Sequence, residues 1–402
     1  MLAPGPPARA QLADTSASVA AHRASVDERR LEAQPGIAVG RMRFLPHVEA
    51  GIGYDTNLDR RSAAEGSRFE KLDVGLGVDA REDGRRTRLR LDARAYKYDD
   101  LTVDDRFEID VRLDSEHRLS STQDVRLGTS YTRDAISLDR ADIYESFLRY
   151  DLRSEALRVW LRLYSDTQLA IPSPFEADLD PEDGVFDPER DEALDYTRNG
   201  FQSGLVPWPK APIAPLLRTG YARVVFIDQG LMPELDRRAH DLYAVGGARI
   251  TLGRQWRIDA GWRFNHRLFA DEAVPSHDTD YPDLRVEWTP SDDTTVIGRI
   301  ERTYEETTSV FALADDVRSY TLSIEQELAD RLTLVVDASY EQEIPVADIV
   351  DYDKYELRAT LFYRPSRNLE LFAEGLARYV EEHTFQSDYE RLRGEVGARW
   401  RF

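Results

Sequence analysis

Within each of several runs arginine keeps to one parity: Arg88, Arg90 and Arg94, then Arg158 and Arg162, Arg257 and Arg263, and Arg391, Arg393, Arg399 and Arg401. An even spacing puts these guanidinium groups on one face of an extended chain. There they can grip a passing anion through paired N–H donors. The interleaved Asp and Glu offer a plainer use, ion pairs between neighbouring strands that hold a wall together. Arg158, Arg162, Arg257, Arg263, Arg393 and Arg399 are the candidates to line a polar interior. A second concentration of chemistry lies in 169–195, where Glu176, Asp178, Asp180, Glu182, Asp183, Asp187, Glu189, Asp191, Glu192 and Asp195 crowd together. Oxygen ligands this dense suit Ca²⁺ or Mg²⁺, with Asp178, Asp180, Asp183 and Asp187 as candidate ligands. The register does not match an EF-hand loop, and a solvated acidic loop accounts for the same residues.

Enzyme chemistry has little to stand on. The seven histidines, at 22, 47, 117, 240, 266, 277 and 383, show no metal-ligand spacing. No G-x-S-x-G elbow is present. Gly51-Ile52-Gly53 and Gly75-Leu76-Gly77 sit inside alternating runs, so they read as small inward residues and not as a phosphate loop. No catalytic or cofactor-binding residue is nominated, and a non-enzyme is expected.

The elements that must position the arginines are strands. From Phe44 the apolar period is two: Val48, Ala50, Ile52 and Tyr54 alternate with Glu49, Gly51, Gly53 and Asp55. The same holds for Leu72 to Asp79, Phe107 to Asp114, Leu157 to Tyr164, Trp256 to Phe264 and Leu369 to Tyr379. In the last run Leu392, Gly394, Val396, Ala398, Trp400 and Phe402 share one parity; Arg393, Glu395, Arg399 and Arg401 share the other. Exposed to water, Trp400 and Phe402 on a terminal strand would invite aggregation. Facing lipid, they would form part of an interfacial aromatic belt.

Connections alternate in length. Glu82-Asp83-Gly84-Arg85, 120–124, 153–155, 253–255, 290–293, 329–331 and 365–368 are short, and 207–215 is intermediate. They carry the Asp, Gly, Pro and Ser of tight turns. Between them lie nine longer polar segments, which together hold 37 acidic and 7 basic residues. Short turns at one end and long loops at the other is the pattern of a membrane barrel. The expected fold is therefore all-β, a transmembrane antiparallel up-and-down barrel of about eighteen strands. Merging the weak runs near Phe201 or Tyr320 would leave sixteen.

The totals agree. The 402 residues have a mean hydropathy of −0.54 and no stretch approaching the ~18 apolar residues of a spanning helix. Alternating strands need no such stretch. A net charge of −22 argues against nucleic acid as a partner, and the absence of cysteine excludes disulfides and thiolate metal sites. Tyrosine, at 19, outnumbers Phe at 15 and Trp at 6, as strands and membrane interfaces favour. Ala8-Arg9-Ala10-Gln11 resembles the small-x-small end of a secretory signal. The expected organisation is a residual signal-peptide end over 1–10, a periplasmic N-terminal segment over 11–43 and the barrel over 44–402.

Arg29, Gly36-Ile37-x-Val39-Gly40, Phe44-x-Pro46 and Gly53-Tyr54-Asp55-x-Asn57 together resemble a known group, the Putative beta-barrel porin 2 family of Gram-negative outer membranes. The resemblance spans 29–402, with its specific residues in 29–60 and the last strand. A Pro-Tyr pair expected between Arg29 and Gly36 is absent, which separates this lead-in from the family pattern. The resemblance implies a barrel in the outer membrane and a link to secretion or uptake of saccharides, exopolysaccharide in particular. Trp400-x-Phe402 is similar to the signal read by the barrel-assembly machinery.

Two functions from different classes follow. One is a pore for diffusion or export of polar solutes through a charged lumen. The other is a non-conducting barrel acting as a surface scaffold, an adhesin or a subunit of an envelope complex. The expected partners are outer-membrane lipid and lipopolysaccharide, the assembly machinery, and saccharide or polysaccharide.

Overall fold

A computed structural model describes residues 36–56, 66–99, 106–134, 141–170, 195–227, 236, 238–272, 274–306, 314–346, 352–382 and 388–402. Within them are nineteen strands and no helix. The first seven are β1 Ile37–Val39, β2 Met42–Asp55, β3 Ser67–Glu82, β4 Arg85–Tyr98, β5 Arg106–Arg118, β6 Gln123–Asp134 and β7 Ala141–Arg153. Then come β8 Leu157–Ala170, β9 Tyr196–Pro207, β10 Ile213–Phe226, β11 Ala239–Leu252, β12 Trp256–Phe269 and β13 His277–Ser291. The last six are β14 Thr294–Glu305, β15 Ala314–Ala329, β16 Leu332–Val346, β17 Tyr352–Tyr363, β18 Leu369–Glu382 and β19 Tyr389–Arg401.

Each strand from β2 to β19 pairs antiparallel with the next, and β19 returns to β2 through Trp400↔Val48 and Arg393↔Asp55. The wall is thus a closed barrel of eighteen strands, without the free edge that an open sheet must protect. β1 is a short extra strand folded on β2 at Ile37↔Phe44. The wall begins at Met42, two residues before the boundary expected from sequence. The runs around Phe201 and Tyr320 are separate wall strands, β9 and β15, so eighteen is the count and sixteen is excluded.

The short connections, including the two-residue turn at Asp83 and Gly84, gather at one end with Phe402, whose amide donates to Pro46 O at 3.2 Å. Gly84 has φ of 70°, a left-handed conformation that glycine adopts without strain. The long connections all leave from the other end, and most of their residues lie outside the described set, Asp178, Asp180, Asp183 and Asp187 among them.

The two faces follow the sequence alternation. Leu392, Val396, Trp400 and Phe402 are each half exposed, whereas Arg391, Glu395 and Arg401 are buried inside. On the outer face, Tyr320, Tyr340, Tyr355 and Tyr379 are register partners in one row across β15 to β18. Their ring centroids are 5.6, 4.9 and 6.1 Å apart. Near the short-turn end, Trp256 stacks on Trp288 at 5.0 Å, and Tyr363 and Trp400 lie exposed. From Tyr355 to Tyr363 the strand covers about 26 Å at ~3.3 Å per residue. At a tilt of ~40° that is a rise of roughly 20 Å along the barrel axis, somewhat under the ~25 Å apolar band between two aromatic girdles.

One seam departs from regular pairing. β13 and β14 are in register from Leu284↔Ile300 to Trp288↔Val296 and again at Ser291↔Thr294. Beyond Ile300, toward the long loops, β14 leans on β12 instead: Asn265, an inner-face residue, donates from Nδ2 to Arg302 O at 3.0 Å. The upper part of β14 therefore inclines over the lumen.

Candidate functional site

The inner face is a field of ion pairs with three distinguishable zones. Near the loop end of β9, β11 and β12, Arg198, Asp241, Arg267 and Glu306 form a buried cluster. Arg198 Nη2 is 2.8 Å from Asp241 Oδ2, and Arg267 Nη2 is 2.7 Å from Glu306 Oε2. Arg198 Nη2 also reaches Tyr304 O, at 3.5 Å, on the inclined part of β14. Side chains this enclosed fill that sector of the mouth. Alternating cation and carboxylate neighbours offset the cost of removing each charge from water.

The second zone is mid-barrel, over seven neighbouring strands from β16 round to β4. It is a cavity of about 200 Å³. Its charged lining is Lys71, Arg94, Arg358, Arg393 and Arg399 against Glu49, Glu374 and Glu395, five cations to three carboxylates. Lys71 Nζ lies 2.7 Å from Glu49 Oε1 and 2.9 Å from Glu395 Oε1. Arg399 closes on Glu49 at 2.6 Å, and Arg393 on Glu395 at 2.9 Å. Aromatic faces complete the cavity: Arg393 stands 4.5 Å over the Phe69 ring and 5.1 Å over Tyr96, and Lys71 is 5.5 Å over Phe372. Val335, Phe362 and Phe372 make a small apolar patch on the far wall. Planar cations beside aromatic faces suit a solute with both a charged group and a flat or apolar side.

The third zone is an arginine arc at the short-turn end. Arg158 on β8 has Arg153, Arg249 and Arg257 as charged neighbours, with Asp151 the nearby carboxylate. Arg249 is held by Asp259, Nε and Nη2 each donating to a carboxylate oxygen at 2.6 Å. Outside the membrane-spanning wall at this end, Lys210 pairs with Glu155 at 2.7 Å and lowers the Glu155 carboxyl below its ordinary range.

The six arginines expected to line the interior all face inward, in different zones. Arg393 and Arg399 meet in the mid-barrel cavity, and Arg158 and Arg257 share the arc. Arg162 and Arg263 flank a cluster of Tyr164, Tyr243, Ala222 and Val245. Arg162 lies 5.0 Å over Phe147, while Arg263 lies 4.6 Å over Tyr243 and 3.1 Å from Asp283. Lys71, Glu49 and the buried mouth cluster were not nominated from sequence. Their parity was readable, but which strands curve toward one another was not. Among the described residues, one group brings three metal-ligand atoms together, His47, Asp73 and Asp92.

A closed wall of eighteen antiparallel strands, apolar and aromatic-belted outside and charged within, defines the outer-membrane class of transmembrane β-barrel. Residues 228–402 match the sequence model of the family described as Putative beta-barrel porin 2, the family resembled by the sequence. The Gly53-Tyr54-Asp55-x-Asn57 motif lies outside the matched residues. A sequence search of curated proteins finds no match. Among solved structures, the chain is similar to the outer membrane protein OpdK of Pseudomonas aeruginosa, at 11% identity over 89% of this chain and 99% of that one, with a TM-score of 0.46. It is also similar to OccAB3 of Acinetobacter baumannii, at 10% identity over 90% and 100%, TM-score 0.46. A third is the siderophore receptor PirA of Acinetobacter baumannii, at 8% identity over 89% and 80%, TM-score 0.42.

Proposed function

We propose that the chain is an outer-membrane pore for small polar solutes and that it favours anions. The observation that carries this reading is the five-to-three excess of cations around the mid-barrel cavity. Fixed positive charge on a low-dielectric wall concentrates anions and excludes cations. The arginine arc repeats the bias toward the short-turn end. The aromatic faces beside Arg393 and Lys71 would orient a sugar acid or an aromatic carboxylate. An exopolysaccharide connection rests on the family resemblance alone, since the cavity has the scale of a single small solute.

The outer face would meet lipid, the acidic loops would face lipopolysaccharide through divalent ions, and Trp400 and Phe402 would be read during assembly. Reversal potentials in planar bilayers under a salt gradient test the pore: anion selectivity is expected, and clear cation selectivity would sink the reading. A non-conducting scaffold is favoured by one observation, the enclosure of Arg198, Arg267 and Glu306 at the mouth. Single-channel recording separates the two readings, because a scaffold gives no conductance steps.

A further inference from the structure

The inner face of β2, β3 and β4 carries a second feature beside the mid-barrel cavity, with which it shares Arg94. His47, Gly75 and Asp92 are register partners in one row across these strands. Asp73 sits two residues from Gly75 on the same face. Glycine at the centre of the row leaves a hollow; a Cβ there would fall inside contact distance of His47 Cε1 and Asp92 Oδ1. The imidazole and both carboxylates converge over that hollow. His47 Nε2 is 3.4 Å from Asp92 Oδ1 and 3.7 Å from Asp73 Oδ1. The three ligand atoms all lie within 4.8 Å of one another. His47 is 4%, Asp73 3% and Asp92 6% exposed.

Asp73 Oδ1 and Asp92 Oδ1 are buried without a hydrogen bond. Their other oxygens are held, Asp73 Oδ2 by Arg94 Nε at 3.1 Å and Asp92 Oδ2 by Arg90 Nε. A buried carboxylate oxygen with no partner is expensive. A proton on His47 Nε2 can serve only one of the two, and both separations exceed the ~2.7–3.2 Å of a well-formed N–H···O bond. A metal ion serves both at once. Ligands ~2.0–2.2 Å from a tetrahedral ion lie roughly 3.3–3.6 Å apart; the 3.4 Å from His47 Nε2 to Asp92 Oδ1 falls in that range and the 3.7 Å to Asp73 Oδ1 just beyond it. Two carboxylates offset a divalent charge, and one imidazole with two carboxylate oxygens suits a first-row ion of the Zn²⁺ class. Arg90 and Arg94 orient the ligand carboxylates from outside, as groups around metal sites commonly do.

We propose that His47, Asp73 and Asp92 form a divalent transition-metal site that clasps β2, β3 and β4 beside the closure of the barrel. The test uses the full chain refolded in detergent, stripped with EDTA and titrated with Zn²⁺ alone by calorimetry. One ion per chain and a raised melting temperature are expected, with four-coordinate visible bands when Co²⁺ replaces Zn²⁺. His47→Gln and Asp92→Asn should each weaken uptake tenfold or more. Absence of stoichiometric uptake by the unsubstituted chain overturns the proposal, as does uptake unchanged in a folded His47→Gln. Where both variants fail to fold, the His47 ring resonance of the unsubstituted chain decides. A shift on adding Zn²⁺ supports the site, and no shift overturns it.

Discussion

Arg391 on the last strand grips Asp55 on the first wall strand across 336 residues of sequence. Nη2 lies 2.6 Å and Nε 3.1 Å from Oδ2, Nε lies 3.0 Å from Oδ1, and Asp55 is fully buried. The pair sits at the loop-end limit of the β19–β2 register, which runs from Arg401↔His47 up to Arg393↔Asp55. Just beyond it, Thr56 N donates to Leu392 O at 2.9 Å, and Leu392 N donates to Thr56 Oγ1 at 2.8 Å. Two strands from opposite ends of the chain have no turn to set their register. A bidentate ion pair at one end and the Phe402–Pro46 hydrogen bond at the other supply that information instead.

Asp55→Ala leaves the Arg391 guanidinium buried without its partner. Breaking a buried pair from one side costs about 3 kcal/mol or more. The urea midpoint of the folded barrel in detergent should fall accordingly, while Asp55→Ala with Arg391→Leu should recover much of the loss. An equal loss in the double variant would mean that the pair does not hold the closure.

Removing Phe402 deletes an exposed aromatic and the amide that reaches Pro46 O. The expected result is a drop of several-fold in heat-modifiable protein in outer-membrane fractions, with unaltered conductance in the molecules that do insert. Wild-type yield from the truncated chain would leave β19 as wall and nothing more.

Gly247 and Gly261 are register partners on the inner face. A Cβ on Gly247 would press on Ala260 O and come within 2.5 Å of Gly261 Cα, both backbone atoms that cannot rotate away. Gly247→Val should destabilise the barrel by about 2 kcal/mol through overpacking. Gly246→Val, whose Cβ meets nothing within 4 Å on the outer face, is the control and should melt near the parent.

Arg158 belongs to the arc with Arg153, Arg249 and Arg257. Arg158→Glu should move the reversal potential toward cations, and adding Arg249→Gln should move it further. The shifts should shrink as ionic strength rises, because charges facing an aqueous lumen are screened over about 8–10 Å near physiological salt. No change in either variant would place the arc away from the ion path.

The period-two alternation determined the wall by itself. Every second residue of 392–402 is apolar, and in a strand every second residue faces one way. Turn residues such as Asp83-Gly84 marked one end, and the acidic segments marked the other. Those signals are local, so they survive in the sequence. The inward facing of Arg158, Arg162, Arg257, Arg263, Arg393 and Arg399 follows from the same parity.

The company each side chain keeps was decided only by the tertiary structure. His47 meets Asp73 and Asp92 because pairing aligns His47, Gly75 and Asp92 in one row, and no spacing along the chain encodes that register. Lys71 reaches Phe372, and Arg198 reaches Tyr304 O, because the wall curves and β14 tilts inward. Curvature and closure are properties of all eighteen strands together. A side chain's face is written within one strand, whereas its partners depend on how every strand is placed.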